Sequence, residues 1–385
     1  MQDFSFYNPT RIEFGAGKIA RLDALVPSKA RVLVLLGGES ARRSGTLDEV
    51  LTALGSREVQ VFNGIEPNPS FETLMAAVAQ VREQQLDYLL AVGGGSVIDG
   101  TKFVAAAALF NGDAWDILLQ GGQNVTAALP FGSVLTLPAT GSEMNKGSVI
   151  TRKSLAAKLP FSSEHVYPVF SILDPVKTYT LPPHQIANGV VDAFMHVMEQ
   201  YLTYPANAPV QDRFAEGLLQ TLIEVGPKAL AEPEDYQTRA SLMWTATLAL
   251  NGLIGAGVPQ DWATHMLGHE LTALHGLDHA QTLAIILPEM LRQRKDAKLG
   301  KLVQYAERVW NIHTGSDDEK AEAAIERTRD FFEAVGVKTR LSDYGLGAEH
   351  IDPIIDSLTN HGMVALGEHQ DVTPALCRQI LLASL

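Results

Sequence analysis

The chain has 385 residues, long enough for two domains with sizeable cores. A composition that is 46% hydrophobic and 19% charged, with no like-charge block or low-complexity run, excludes a disordered or fibrous chain. Lys and Arg number 30 against 44 Asp and Glu, and the formal charge of −14 argues against a nucleic-acid or acidic-membrane footprint and for small-molecule chemistry.

The start, Met1-Gln-Asp-Phe-Ser5, lacks the basic and apolar stretches of a signal peptide. No apolar run approaches the roughly 18 residues needed to span a bilayer. Cys377 is the only cysteine, which excludes an internal disulfide and a thiolate zinc cluster and leaves His and carboxylates as metal ligands. The expectation is a soluble cytoplasmic protein.

A first strand, Arg11–Phe14, leads into Gly15-Ala-Gly17-Lys-Ile-Ala20, which matches G-x-G-x-x-A. With Glu39 about 20 residues on, this reads as a dinucleotide fingerprint in which Glu39 accepts the ribose, or as an ordinary turn into a helix. Further strands are expected at Arg31–Leu36, Leu86–Val92 and Ser133–Leu137, alternating with helical stretches, so the sheet is expected to be parallel. Each of these three runs ends in glycine or small polar residues: Gly37-Gly38-Glu39-Ser40, Gly93-Gly94-Gly95-Ser96 and Pro138-Ala-Thr-Gly-Ser142. Ligands of open α/β sheets bind at such carboxyl ends. The second cluster, with a helix from near Val97, is the stronger pyrophosphate candidate, because consecutive glycines allow close backbone approach and the helix N-terminus is partially positive. Lys158, between apolar residues, reads from its neighbours alone as a solvated lysine, with a phosphate or nicotinamide contact as the functional alternative.

Three prolines within 174–183 mark a boundary, and two domains, 1–180 and 181–385, are expected. Beyond it, long 3.6-period segments such as 210–230, 238–253 and 318–335 predict an all-helical domain. Trp244 and Trp262 are expected in its core. Asp192 and His196, four apart in a helical stretch, share one face. Four of the eleven histidines, His265, His269, His275 and His279, fall within 15 residues. Glu270 follows rather than precedes the second histidine of H-x-x-x-H, so the metalloprotease pattern is not met. A helix break at Gly276 could fold His279 back toward His265, giving Asp plus three His around a divalent cation; spacing leaves open which three.

The combination resembles the iron-containing, or group III, alcohol dehydrogenase family, in its butanol-dehydrogenase branch. The resemblance runs essentially end to end. It rests on Gly93-Gly-Gly-Ser-Val-Ile-Asp-Gly-Thr-Lys102, Leu137-Pro-Ala-Thr-Gly-Ser-Glu143, Leu173-Asp-Pro175, Asn188-Gly-Val-Val-Asp-Ala193 and Pro259-Gln-Asp-Trp-Ala-Thr-His-Met-Leu-Gly-His-Glu270. It implies a Rossmann-like α/β domain followed by an all-α domain. It also implies metal ligation by Asp192, His196, His265 and His279, with His269 beside substrate and nicotinamide and His275 not a ligand. The coenzyme is placed at Gly37, Gly38, Ser40, Gly94, Gly95, Ser96, Asp99, Thr136, Thr140 and Lys158, and the Gly15 motif becomes an ordinary turn.

NAD-dependent members carry an Asp after the first full strand; this chain has Gly38 there, with Ser40, Arg42 and Arg43 nearby. That favours NADP(H), with NAD(H) as the alternative because Glu39 stands where family relatives have a third glycine. The implied reaction is hydride transfer between NADP(H) and short-chain aldehydes or primary alcohols, with one divalent metal, Fe²⁺ or Zn²⁺, in a homodimer. The rival is a cofactor-recycling lyase of the dehydroquinate synthase type, whose phosphorylated substrate calls for cations that the apolar segments around these ligands lack.

Overall fold

The strand-forming runs assemble as parallel neighbours, because each is joined to the next by a segment that crosses over the sheet rather than by a tight hairpin. The computed structural model describes residues 1–385 and divides into two compact units. One comprises Tyr7–Leu181 with Pro233–Thr247; the other comprises Met1–Phe6, Pro182–Glu232 and Leu248–Leu385.

In the first unit, strands β1 (Arg11–Phe14), β2 (Arg31–Leu36), β3 (Glu58–Phe62), β4 (Tyr88–Gly94), β5 (Phe131–Leu137) and β8 (Phe170–Leu173) form one sheet in the order β1-β8-β5-β4-β2-β3. All of its pairs are parallel. β6 (Gly147–Arg152) and β7 (Ala157–Ser162) make a separate antiparallel pair. Successive residues of β2 and β4 enter opposite cores: Leu33, Leu35, Leu89 and Ala91 pack on one face, Val32, Val34, Leu90 and Val92 on the other. Both faces are covered, which is why these strands read as unbroken apolar runs. From β2 the chain moves outward to β3, then returns to the other side of β2 at β4 and proceeds to β5. The strand order therefore reverses between β2 and β4, and a crevice at the carboxyl ends of such a pair is where open α/β sheets take ligands.

The second unit is helical, with no strand beyond an isolated Leu366–Val372 bridge. Proline at the first position starts the helices Pro183–Tyr201, Pro209–Ala231 and Pro374–Ala383. Ser316 and Glu319 form a capping box on Asp317–Ala334. The helix Ala263–His275 stops at Gly276, which takes φ 70°, and Asp278 caps the next helix, His279–Gln293. No helix is long and apolar enough to cross a membrane.

Three local expectations are corrected. Trp244, expected in a core, is 37% exposed and offers only one ring edge-on to Phe14, with centroids 6.1 Å apart. The helix expected from near Val97 begins two residues earlier at Gly95, because extended Gly94 already serves as its cap. Lys158 is buried rather than solvated: its Nζ donates to Asn68 Oδ1 at 2.9 Å.

Candidate active site

Each unit carries one cluster of candidate residues, and both clusters arise from short local patterns. In the first unit, β4 runs directly into the helix Gly95–Leu109, and the glycines at the junction leave no room for side chains. A Cβ on Gly93 would lie 2.5 Å from Val97 Cγ2, one on Gly94 3.0 Å from Leu137 Cβ, and one on Gly95 2.4 Å from Thr140 Oγ1. Gly93 and Gly94 are also where the β4–β5 register shifts, pairing Gly93 with Leu135 and Gly94 with Leu137 and passing over Thr136. At the end of β2, Gly37 is close to the Ile65 carbonyl, whereas Gly38 faces open space. Ser40 opens the short helix Ser40–Arg43. This chain therefore puts a glycine-lined cradle and a helix N-terminus at the switch point, which fits a pyrophosphate.

Asp99, on the helix after the cradle, accepts from Ser142 Oγ at 2.5 Å and from the Val149 N–H at 2.9 Å. Burial raises its carboxyl, opposed by Lys102, Ser142, Val149 and Lys158. Lys102 is fully buried, donates to Asn145 Oδ1 and the Gly147 carbonyl, and is lowered to about 8 by burial against the pull of Asp99 and Glu143. This network holds the loop after β5 onto the helix. Ser142 and Lys102 belong to motifs visible in the sequence, whereas Asn145 lies just beyond one, and the bonds these residues make were not legible there. The Gly15 motif lies elsewhere: β1 is the edge strand, and the Gly17 N–H donates to Asp174 Oδ2 at 2.9 Å, so this turn closes on the protein itself.

Glu39 extends from the end of β2 with Oε1 accepting from Asn63 Nδ2 at 2.9 Å and Oε2 3.7 Å from Arg42 Nε. Its carboxylate is thereby turned toward the end of β3.

In the second unit, Asp192 and His196 lie one turn apart on Pro183–Tyr201, His265 lies on Ala263–His275, and His279 opens the following helix. One donor atom from each of the four lies within 4.8 Å of the others. Asp192 Oδ1 is 3.9 Å from His196 Nε2 and 3.6 Å from His279 Nε2. The His265 ring is 4.9 Å from that of His196 and 5.0 Å from that of His279. Asp192, His196 and His265 are buried, and Asp192 Oδ1 accepts no hydrogen bond. A desolvated carboxylate oxygen among three imidazoles fits a divalent cation, with one carboxylate and three nitrogens suiting Fe²⁺ or Zn²⁺.

His269 sits one turn beyond His265, with its ring 5.4 Å from His279 and 6.4 Å from His265, beside the four donors. His275 instead packs edge-on against His350 at 5.2 Å. Glu270 is engaged by Ser357 Oγ at 2.6 Å and His361 Nδ1 at 2.8 Å. Two neighbours of the cluster escaped the sequence reading. Trp262 places its ring 5.1 Å from His265 rather than in a plain core. Glu199 pairs with His265 Nδ1; burial and then the Asp261 carboxylate push its carboxyl well above the ordinary glutamate range, so it gains from a cation nearby. Its signal was available, since residues 192, 196 and 199 fall on one helical face.

Comparison with known proteins agrees with both halves. Residues 9–175 match the model for iron-containing alcohol dehydrogenase, and residues 186–383 match that for the C-terminal part of the Fe-containing alcohol dehydrogenase family. The chain belongs to the iron-containing alcohol dehydrogenase family. It is 61% identical, over the full length of both chains, to the NADPH-dependent aldehyde reductase YqhD of Escherichia coli (strain K12). It is 42% identical, again over both full lengths, to the probable NADH-dependent butanol dehydrogenase 1 of Bacillus subtilis (strain 168). Its fold matches the crystal structure of E. coli K-12 YqhD with a TM-score of 0.99 at 60% identity, covering 100% of this chain and 99% of the other. For the NADH-dependent butanol dehydrogenase A of Thermotoga maritima the TM-score is 0.95 at 33% identity, with 100% and 99% covered. The parallel sheet and helical half expected for this family are both present.

Proposed function

We propose that this iron-containing alcohol dehydrogenase family member is a metal-dependent aldehyde reductase that uses NADPH in preference to NADH on short-chain aldehydes and the corresponding primary alcohols. The observation that carries this reading is the convergence of Asp192, His196, His265 and His279 within 4.8 Å, in a chain whose other unit has a glycine cradle at its switch point. The 61% identical relative is named for NADPH-dependent aldehyde reduction, which supports the coenzyme preference, while the relative at 42% identity, named as a probable NADH-dependent butanol dehydrogenase, keeps NADH as the alternative. Names for alcohol and aldehyde chemistry among these relatives speak against the lyase. In this reading residues 1–180 hold the dinucleotide and residues 181–385 hold the metal. A homodimer in the cytoplasm, acting on small molecules, completes the proposal.

Gly94, Gly95 and Ser96 bind the pyrophosphate through backbone N–H groups, with Asp99, Thr136, Thr140 and Lys158 shaping the nicotinamide side and Gly37, Gly38 and Ser40 the adenosine side. Asp192, His196, His265 and His279 hold the cation. The bound groups supply a hydride donor and Lewis acidity toward a carbonyl oxygen. His269 moves the proton that completes the alcohol, since an imidazole exchanges protons near neutral pH and this one stands beside the ligands without belonging to them. Alanine at His269 is expected to slow turnover about 10²-fold while metal content stays at one ion per chain, checked by steady-state rates and elemental analysis.

Glu39 opposes the NADPH preference, because a carboxylate close to the adenosine ribose repels a 2′-phosphate. Glu39→Gly is expected to raise the ratio of kcat/KM for NADPH over NADH by about tenfold or less, since salt and solvent screen an exposed charge. Parallel kinetics with the two coenzymes check this.

The direct test follows NADPH and NADH absorbance with C3 to C6 aldehydes, before and after chelation and metal restoration. NADPH loss that chelation abolishes and Fe²⁺ or Zn²⁺ restores supports the reading. If neither coenzyme is consumed by the metal-loaded protein, the reductase reading fails.

A further inference from the structure

Glu199 is not one of the four donors, yet it is 5% exposed and every part of it is engaged. Its Oε1 accepts the backbone N–H groups of Thr264 at 2.9 Å and His265 at 3.2 Å, and its backbone carbonyl accepts the Asp261 N–H at 2.8 Å. Its Oε2 pairs with His265 Nδ1. Asp261, the other buried carboxylate at this helix start, is committed elsewhere: Oδ1 accepts the Ala263 N–H, and Oδ2 accepts Lys298 Nζ at 2.9 Å. Of these two buried carboxylates, Glu199 is the one that addresses the His265 ring.

We propose that Glu199 is the positioning residue of the metal centre: its carboxylate keeps the His265 proton on Nδ1 and fixes the ring, leaving the Nε2 lone pair for the cation. This rests on the ligand set proposed above. An imidazole has two nitrogens, and the one available to a metal is decided by the hydrogen bond that the other makes. With Nδ1 held by Glu199, only Nε2 can face Asp192, His196 and His279. One helix thus contributes two ligands and, one turn further on the same face, the group that aims a third ligand carried by another helix.

The alternative is a plain structural role, in which Glu199 only anchors the start of Ala263–His275. Glu199→Gln separates the two. Its amide oxygen can still accept both backbone N–H groups, but its NH₂ meets Nδ1 as a donor, which drives the ring proton to Nε2 and removes that lone pair. The anchoring role alone predicts unchanged metal affinity; the positioning role predicts Zn²⁺ affinity lower by about 10- to 100-fold.

Zn²⁺ dissociation constants from chelator competition would be measured for the full-length wild type, Glu199→Gln and His265→Ala, with near-ultraviolet circular dichroism of the metal-free proteins reporting the fold. Native-like dichroism with at least tenfold weaker Zn²⁺ binding in Glu199→Gln supports the proposal, and binding within threefold of wild type overturns it. If His265→Ala binds Zn²⁺ as tightly as wild type, the ligand set itself fails, which is a different result. Should Glu199→Gln not fold, a crystal structure of the zinc-loaded wild type decides. Zinc on His265 Nε2 with Glu199 bonded to Nδ1 supports the proposal; zinc on Nδ1, or Glu199 turned away, overturns it.

Discussion

Replacing Asp192 by alanine is expected to lower kcat/KM for aldehyde reduction about 10³-fold and to leave the purified protein with well under one metal ion per chain. Asp192 is the only anionic donor among the four, and Oδ1 faces the imidazoles of His196 and His279 at 3.9 and 3.6 Å. Without it, three neutral rings remain to hold a doubly charged cation in a buried site. A Lewis acid is worth several kcal/mol of transition-state stabilisation, and each 1.4 kcal/mol is a factor of ten, so a thousand-fold loss is the expected scale. The metal-free fold should survive, because Asp192 Oδ1 accepts no hydrogen bond whose loss would be felt. Elemental analysis, steady-state rates and a urea midpoint read all three consequences. Full metal content in the variant, or a loss smaller than tenfold, would remove Asp192 from the ligand set.

Gly95→Val is expected to raise KM for NADPH at least tenfold and to cost about 1–3 kcal/mol of stability. A Cβ at residue 95 would stand 2.4 Å from Thr140 Oγ1, 2.6 Å from its Cγ2 and 3.1 Å from its Cβ. The Thr140 side chain or the first helical turn must therefore move, and both belong to the proposed pyrophosphate cradle. Gly17→Ala is the matched control from the other glycine motif. Gly17 has φ 72° and nothing within 4 Å of its would-be Cβ, so alanine there is strained by about 1 kcal/mol but should leave coenzyme binding alone. Coenzyme titrations and denaturation of the two variants check the contrast. Equal effects on NADPH binding would return the Gly15 motif to consideration.

The two glycine motifs show what sequence could and could not decide. Consecutive glycines already make 93–95 the stronger string; the sheet order separates the two further, because β1 lies at the edge while β4 sits beside β2 at the switch point. Strand order depends on long-range pairing that no local window carries. The parallel sheet and the helical half were legible because β2 and β4 are apolar on both faces and the later segments repeat at 3.6. For the metal centre, Asp192 and His196 were legible through helical spacing, but the choice among four histidines was not. Gly276 at φ 70° and the Asp278 cap decide that choice physically, reversing the chain so that His279 rather than His275 reaches the cluster. Lys158 was misread because a lone lysine in an apolar run gives no sign of Asn68, 90 residues earlier in the chain, which accepts from its Nζ. For Glu199 the shared helical face with Asp192 and His196 was legible, but its pairing with His265, 66 residues away, was not.

X-ray absorption spectroscopy of the metal-loaded full-length protein, together with its metal stoichiometry, tests the central claim most directly. The account predicts one Fe²⁺ or Zn²⁺ per chain whose protein ligands are three imidazole nitrogens and one carboxylate oxygen, with the ion lost in Asp192→Ala. A site with no histidine scattering, or a stoichiometry unchanged when Asp192 is replaced, would contradict it.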